Sequence, residues 1–217
     1  MTTSRTILRY IIILAGLNLC GLGTYFTLLA GLGTNPWTVF HAGLSHYLPL
    51  TIGQVSQVLG IFIIILSYPL GVRARIGTFL NMFFFGFFYD VWAELGLFPE
   101  PTSLPAQFLY LLAGVAVLGA GLGLYVSVGL GAGPRDGLTL GLHQRLGLSI
   151  RLVRSCIELA ALFCGYLIGG PVGIGTLFYA LAIGPALQYS LQLCNRYISP
   201  LFMPEQTETI STGGSTI

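Results

Sequence analysis

Three charged side chains occupy apolar stretches of this 217-residue sequence, where their chemistry is conspicuous. Asp90 follows the aromatic run "FFFGFFY", and Glu158 lies in a later apolar stretch, four residues after Arg154. That spacing places Arg154 and Glu158 on one face of a helix. Ionisable groups inside membrane helices are costly and usually functional, so these three residues are candidates for solute binding or proton coupling. The alternatives are a self-neutralising Arg154–Glu158 pair and an Asp90 carboxylate solvated at the membrane surface beside an aromatic belt.

Two similar stretches contribute a second set of polar candidates, "GLGTNPWTVFHAGL" from Gly31 and "GLGAGPRDGLTLGL" from Gly129. The proline in each predicts the start of a short helix, with an asparagine cap in the first copy and a weaker glycine cap in the second. Such a start presents N–H groups that favour anions, although a cap at the membrane surface is the alternative. We expect the two sets to face opposite mouths of one central cavity: Asn35, Trp37, Thr38 and His41 outside, Arg135 and Asp136 inside.

Composition indicates which elements must position these residues. Only 7% of the chain is charged and its mean hydropathy is +0.84, so we expect an all-α integral membrane protein without a nucleic-acid partner. Segments Pro36–Tyr47 and Pro134–Leu146 are too short and polar to cross, and are predicted to be re-entrant or interfacial helices. Six predicted spans remain: Leu8–Ala30, Ile52–Leu70, Ile76–Leu95, Ala106–Val128, Leu152–Gly169 and Ile174–Leu193.

The nine basic residues are all arginine, and with six spans every one falls on the side of the N-terminus. The positive-inside rule then predicts a multi-pass protein of the cell membrane with both termini cytoplasmic. The expected organisation is a cytoplasmic N-terminus (1–7), a first membrane repeat (8–95), an outer linker (96–105), a second repeat (106–195) and a polar tail (196–217). From Pro204 onward the tail is expected to be disordered.

The two halves of the chain are similar beyond the opening stretches. Residues 31–90 align without gaps to residues 129–188, with 16 identities in 60 positions, including "IGT" in both copies. Each copy contains three spans, so the second must enter the membrane from the opposite side. Inverted repeats of this kind are a common plan of secondary transporters, although duplication alone also produces a symmetric bundle.

The pattern "GLGTNPW…GLS", then "TIGQ", then "IGTFLN…G…D" resembles the YczE/YyaS/YitT group of small bacterial integral membrane proteins. The resemblance extends over most of the chain and implies a small multi-pass membrane protein. It assigns no role to any residue.

We therefore expect a secondary transporter or exporter of a small solute, for example an anionic or amino-acid-like one, working by alternating access. The alternative is a non-transporting membrane partner, or a solute-binding subunit, of another complex; a protein partner or a homo-oligomer fits either reading. No nucleophile–base set, phosphate loop or metal-binding motif occurs, so we expect no enzymatic activity, catalytic residue, metal or cofactor.

Overall fold

The computed structural model describes residues 3–131, 133–198 and 201, and these form an all-helical bundle. The eight α-helices are α1 (Thr3–Leu29), α2 (Pro36–Ser45), α3 (Ile52–Ser67), α4 (Ile76–Leu95), α5 (Leu104–Ser127), α6 (Pro134–Leu146), α7 (Ile150–Leu167) and α8 (Ile174–Tyr197). A 3₁₀ turn, Tyr68–Leu70, continues α3. The expected all-α class is confirmed, while the tail predicted to be disordered from Pro204 lies outside the described residues.

Five helices in the described part of the chain are long and apolar enough to cross a membrane. They are α1, α3 with its 3₁₀ turn, α4, α5 and α8, so the chain is a multi-pass membrane protein. Helix α7 was also expected to cross. It has 18 residues, but Arg151, Arg154 and Glu158 within it reduce its apolar character.

Local chemistry explains where the short helices start. Asn35 caps α2, because its Oδ1 accepts the Thr38 N–H at 2.9 Å, and Pro36 needs no hydrogen-bond partner at the first helical position. Helix α6 begins the same way at Pro134, but its cap residue Gly133 has no side chain to offer. The predicted strong and weak caps are both confirmed.

The centre of the bundle is the crossing of α1 and α5, where glycines let the backbones approach. A methyl group on Gly16 would lie 2.9 Å from the Gly121 carbonyl oxygen, and one on Gly23 would lie 2.7 Å from that of Gly114. Small residues are the usual means of close helix contact in membranes. Helix α4 packs against α1 and α8 against α5, while α2 packs against α7 and α6 against α3.

The segments that precede the short helices turn back into the bundle. After α1, Gly31 and Gly33 take positive φ values of 68° and 96°, which glycine adopts without strain. The chain then returns alongside α1, because the Thr34 hydroxyl lies 2.7 Å from that of Thr27, and both residues are fully buried. Helix α2 therefore begins inside the bundle.

The second half repeats this geometry after α5. Gly129 and Gly131 also take positive φ values, and the Tyr125 hydroxyl donates to the Gly131 carbonyl at 3.0 Å. Tyr125 is the equivalent, 98 positions later, of Thr27, which contacts the segment that returns after α1. Both returning segments are thus held by the helix that they have just left.

Hydrogen bonds between the halves also come in matched pairs. The Gly77 N–H donates to the Leu130 carbonyl at 3.1 Å, and the Gly175 N–H donates to the Leu32 carbonyl at 2.7 Å. Each residue of the first bond lies 98 positions from its counterpart in the second. The start of α4 therefore holds the loop after α5 just as the start of α8 holds the loop after α1.

Candidate functional site

A small cavity of about 30 Å³ lies where the starts of the two short helices meet. Helices α2, α3, α4 and α6 line it, and its polar lining consists of His41, Ser56, Asn81 and Arg135. Its apolar wall consists of Trp37, Leu59, Ile63, Met82 and Phe85. A site of this size holds about one water molecule.

Trp37 is the central contact of this site. The Arg135 guanidinium carbon lies 5.4 Å from the centre of the indole ring, within cation–π range, and the indole N–H donates to Glu158 Oε1 at 3.2 Å. Trp37 and Arg135 are the second residues of α2 and α6 and lie 98 positions apart. The expectation that they face opposite mouths is wrong, because the returning segments bring both helix starts to one place.

Arg135 has no carboxylate partner among the described residues. The ion pair in that part of the chain joins Arg154 to Asp136 at 3.2 Å, and both side chains are exposed. The predicted Arg154–Glu158 pair is therefore not formed, since Arg154 turns toward α6 and Glu158 toward Trp37. Arg135 instead lines the cavity.

His41 lies one turn after Trp37 on α2, with ring centres 6.1 Å apart. Burial lowers the pKa of His41 to about 3, with a further contribution from the Arg135 charge, so the imidazole is neutral at physiological pH. A neutral imidazole carries one donor and one acceptor nitrogen. Neither His41 nor Asn81 has a hydrogen-bond partner among the described residues, and both line the cavity.

Asn35 and Thr38 lie behind the cavity, inside the cap of α2. Both are buried, and the Asn35 amide donates to the Thr38 hydroxyl at 2.6 Å while its oxygen caps the helix. Their hydrogen-bonding capacity is largely used in starting the helix. Neither residue faces an open mouth, in contrast to the sequence-based expectation.

Asp90 belongs to a different contact, at the start of α3. Its carboxylate accepts the Thr51 hydroxyl at 2.5 Å and the Gly53 N–H at 3.0 Å. A carboxylate at a helix N-terminus is favoured by the unpaired N–H groups and the helix dipole there. Asp90 therefore joins α4 to α3 and does not line the cavity. This structural role differs from both sequence-based alternatives, which were a functional site and a carboxylate solvated at the membrane surface.

Sequence reasoning did not include Ser56 and Asn81 among the site residues. Both were visible as polar groups in spans, but that signal is shared with residues that only join helices. Asn81 is singled out by its place beside the start of α6, where a methyl group on Gly133 would lie 3.1 Å from its Oδ1.

Comparison with known proteins shows which family the chain belongs to. Residues 7–192 match a family described as a family of unknown function, DUF6198. The chain belongs to this family. It is 37% identical to an uncharacterized protein of Haemophilus influenzae, covering 85% of this chain and 84% of that protein. It is 36% identical to the uncharacterized membrane protein YczE of Bacillus subtilis, covering 85% and 86%.

A third relative, the uncharacterized protein YyaS of Bacillus subtilis, is 25% identical over 88% of this chain and 96% of its own length. The resemblance to the YczE and YyaS proteins inferred from the sequence is thereby confirmed. No solved structure matches the chain.

Proposed function

We propose that this protein is a secondary transporter or exporter of a small solute, working by alternating access around the cavity between α2 and α6. The observation that carries the proposal is the meeting of Trp37 and Arg135, the same position in the two copies, at that cavity. Binding between repeats at half-helix starts is a recurring plan of transporters. The proposed role is a carrier and not an enzyme.

The matched contacts support an inverted repeat of three spans each. The hydrogen bond Gly77–Leu130 has its equivalent, shifted by 98 positions, in Gly175–Leu32. The close approach of Gly43 to Ile168 likewise has its equivalent in that of Gly141 to Leu70. A twofold axis between oppositely oriented copies would produce these exchanges. Two equivalent residues lie close together only where both are near the axis. Since Trp37 and Arg135 are equivalent and in contact, the axis passes close to them.

The short helices fit the re-entrant alternative better than the interfacial one. Trp37 contacts Glu158, eight residues into α7, while a methyl group on Gly43 would lie 3.0 Å from the Gly165 carbonyl, near the other end of α7. Helix α2 therefore runs from the interior of the bundle toward one surface. If α7 crosses as the sixth span, both short helices start near the middle of the membrane.

One contact breaks the symmetry, and it supports two alternating states. In the first half, α3 and α4 pack tightly where Gly53 meets Gly86 and Asp90. The corresponding helices α7 and α8 do not pack along one another in this way, and a methyl group on Gly184 would have no atom within 4 Å. With the arginine-rich side cytoplasmic, this form is closed at the outer side and separated at the inner side.

The cavity volume sets a requirement on the proposed mechanism. A space for about one water cannot hold a solute, so binding requires the surrounding helices to move. Alternating access supplies such a movement by shifting one half against the other.

Solute flux tests the proposal directly. Purified protein in liposomes should accumulate at least one member of a labelled panel of small carboxylates, amino acids and sugars, relative to protein-free liposomes. Arg135→Gln, which removes the cavity charge, should abolish the same flux while remaining folded. Absence of flux across the panel would reject the transporter and favour the alternative of a membrane partner of another complex.

Orientation has its own test. We propose a cell-membrane location with both termini cytoplasmic, supported by the arginine distribution. Reporter fusions at Arg73 should report the cytoplasm, and fusions at Glu100 the outside. An external signal at Arg73 would reject the six-span inverted repeat.

A further inference from the structure

The cavity contains an arginine charge that the described part of the protein leaves unneutralised. Arg135 contacts the face of Trp37, and no described carboxylate lies within ion-pair distance of it. Arg135 is partly buried, and ionisable residues inside membrane proteins mark substrate or ion pathways. A bound anion would complete the site.

The start of α6 provides a second feature that favours an anion. Helix α2 supplies its own cap through Asn35, but α6 has no side-chain cap. Pro134 and Arg135 of its first turn both line the cavity. An uncapped helix start beside a guanidinium is a favourable position for a carboxylate oxygen.

His41 points to a ligand independently of the helix start. Its side chain is 7% exposed, lines the cavity and has no hydrogen-bond partner among the described residues. An imidazole that lines a cavity without a hydrogen-bond partner is available to a polar ligand, to which one ring nitrogen donates and from which the other accepts. Asn81, which is partly buried, offers an amide to the same cavity and has no hydrogen-bond partner among the described residues.

The rest of the wall restricts the anion further. Leu59, Ile63, Met82 and Phe85 are apolar, and they suit a ligand with a hydrocarbon part. Glu158 accepts the Trp37 indole N–H, and Asp136 follows Arg135 in the chain, so a second negative charge on the ligand would be repelled.

We propose that the solute is a small monocarboxylate with an apolar tail. Its carboxylate binds Arg135, the start of α6 and the His41 and Asn81 side chains, and its tail contacts the apolar wall. This assignment rests on the proposed function, because the same cavity serves as the transport site.

Equilibrium binding to the purified protein in detergent tests the assignment without requiring transport. The chain has two tryptophans, so Trp92→Phe leaves Trp37 as the only indole and its emission reports directly on the cavity. Sodium butyrate should cause a saturable change in Trp37 emission and raise the unfolding temperature. Butyramide, which has the same shape without the charge, should bind at least about tenfold more weakly.

Variants locate the binding group. Arg135→Gln should weaken butyrate binding by about tenfold or more, whereas Arg145→Gln, an exposed arginine on the same helix, should leave it unchanged. If Arg135→Gln does not fold, Arg135→Lys keeps the charge and should bind more weakly than the parent. If neither folds, the comparison of butyrate with butyramide in the parent protein decides.

Three results would overturn the assignment: equal binding of butyrate and butyramide, unchanged butyrate binding in Arg135→Gln, and chloride or phosphate binding as tight as that of butyrate. Flux of another solute in liposomes would then preserve the transporter while rejecting the monocarboxylate. Conversely, butyrate binding without flux of any solute would keep the site and reject the transporter.

Discussion

Adding one methyl group at two equivalent glycines tests the asymmetry between the halves. Gly86 and Gly184 lie 98 positions apart, inside α4 and α8 respectively. A methyl group on Gly86 would lie 2.7 Å from Ser56 Oγ and closer still to the Gly53 carbonyl oxygen, which are distances that a real side chain does not tolerate. On Gly184 the same group meets no atom within 4 Å.

The comparison tests packing beside a smaller difference in helix propensity. Both changes to alanine gain about 1 kcal/mol from helix propensity, but Gly184 precedes Pro185, whose ring disfavours a Cβ at that position, so Gly184→Ala loses part of this gain. Overpacking costs Gly86→Ala about 1–3 kcal/mol, because the neighbour is backbone and cannot turn aside. Gly86→Ala should therefore be less stable than Gly184→Ala by that amount. At about 2–4 °C per kcal/mol for a chain of this length, their unfolding temperatures should differ by roughly 2–12 °C.

Thermal unfolding of both variants in one detergent, followed by circular dichroism, provides the measurement. The parent protein should fall between them or close to Gly184→Ala. Equal unfolding temperatures for the two variants would refute the tight α3–α4 contact, and with it the reading of this form as closed on one side only.

Three further predictions concern the charged and capping residues. Asp90→Asn should lower the free energy of unfolding by about 1–2 kcal/mol in the same assay, because a neutral amide accepts the Gly53 N–H less strongly at the start of α3. An unchanged free energy of unfolding would contradict the helix contact. Asp136→Asn should cost less than about 1 kcal/mol, since the ion pair with Arg154 is exposed, and a larger loss in chemical denaturation would indicate a buried role. In a background lacking the native cysteines, Asp136→Cys should react readily with a water-soluble maleimide and Thr38→Cys only slowly, since Asp136 is exposed and Thr38 is 2% exposed; equal labelling would contradict the buried cap.

The sequence predicted the helices well, because their signals are local. Apolar runs long enough to cross a bilayer account for the long helices, and Asn35–Pro36 and Gly133–Pro134 for the starts of the short ones. The family resemblance was also visible in the glycine and proline spacing. Each of these signals depends only on neighbouring residues or on composition.

The partners of the charged residues were not predictable from spacing. Arg154 and Glu158 share a helix face, yet one reaches Asp136 on α6 and the other the Trp37 indole on α2. Spacing along a helix states which pairs can meet, but a closer or better oriented partner on another helix competes with them.

The sequence by itself determined that this protein is an all-helical membrane protein with two short helices that begin at prolines. Only the tertiary structure decided that both begin in one place, with Trp37 against Arg135. The physical reason is that the loops after α1 and α5 turn back into the bundle and are held there by side chains of the preceding helix and by the starts of α8 and α4. Contacts between residues about a hundred positions apart follow from that return, and no local pattern encodes them.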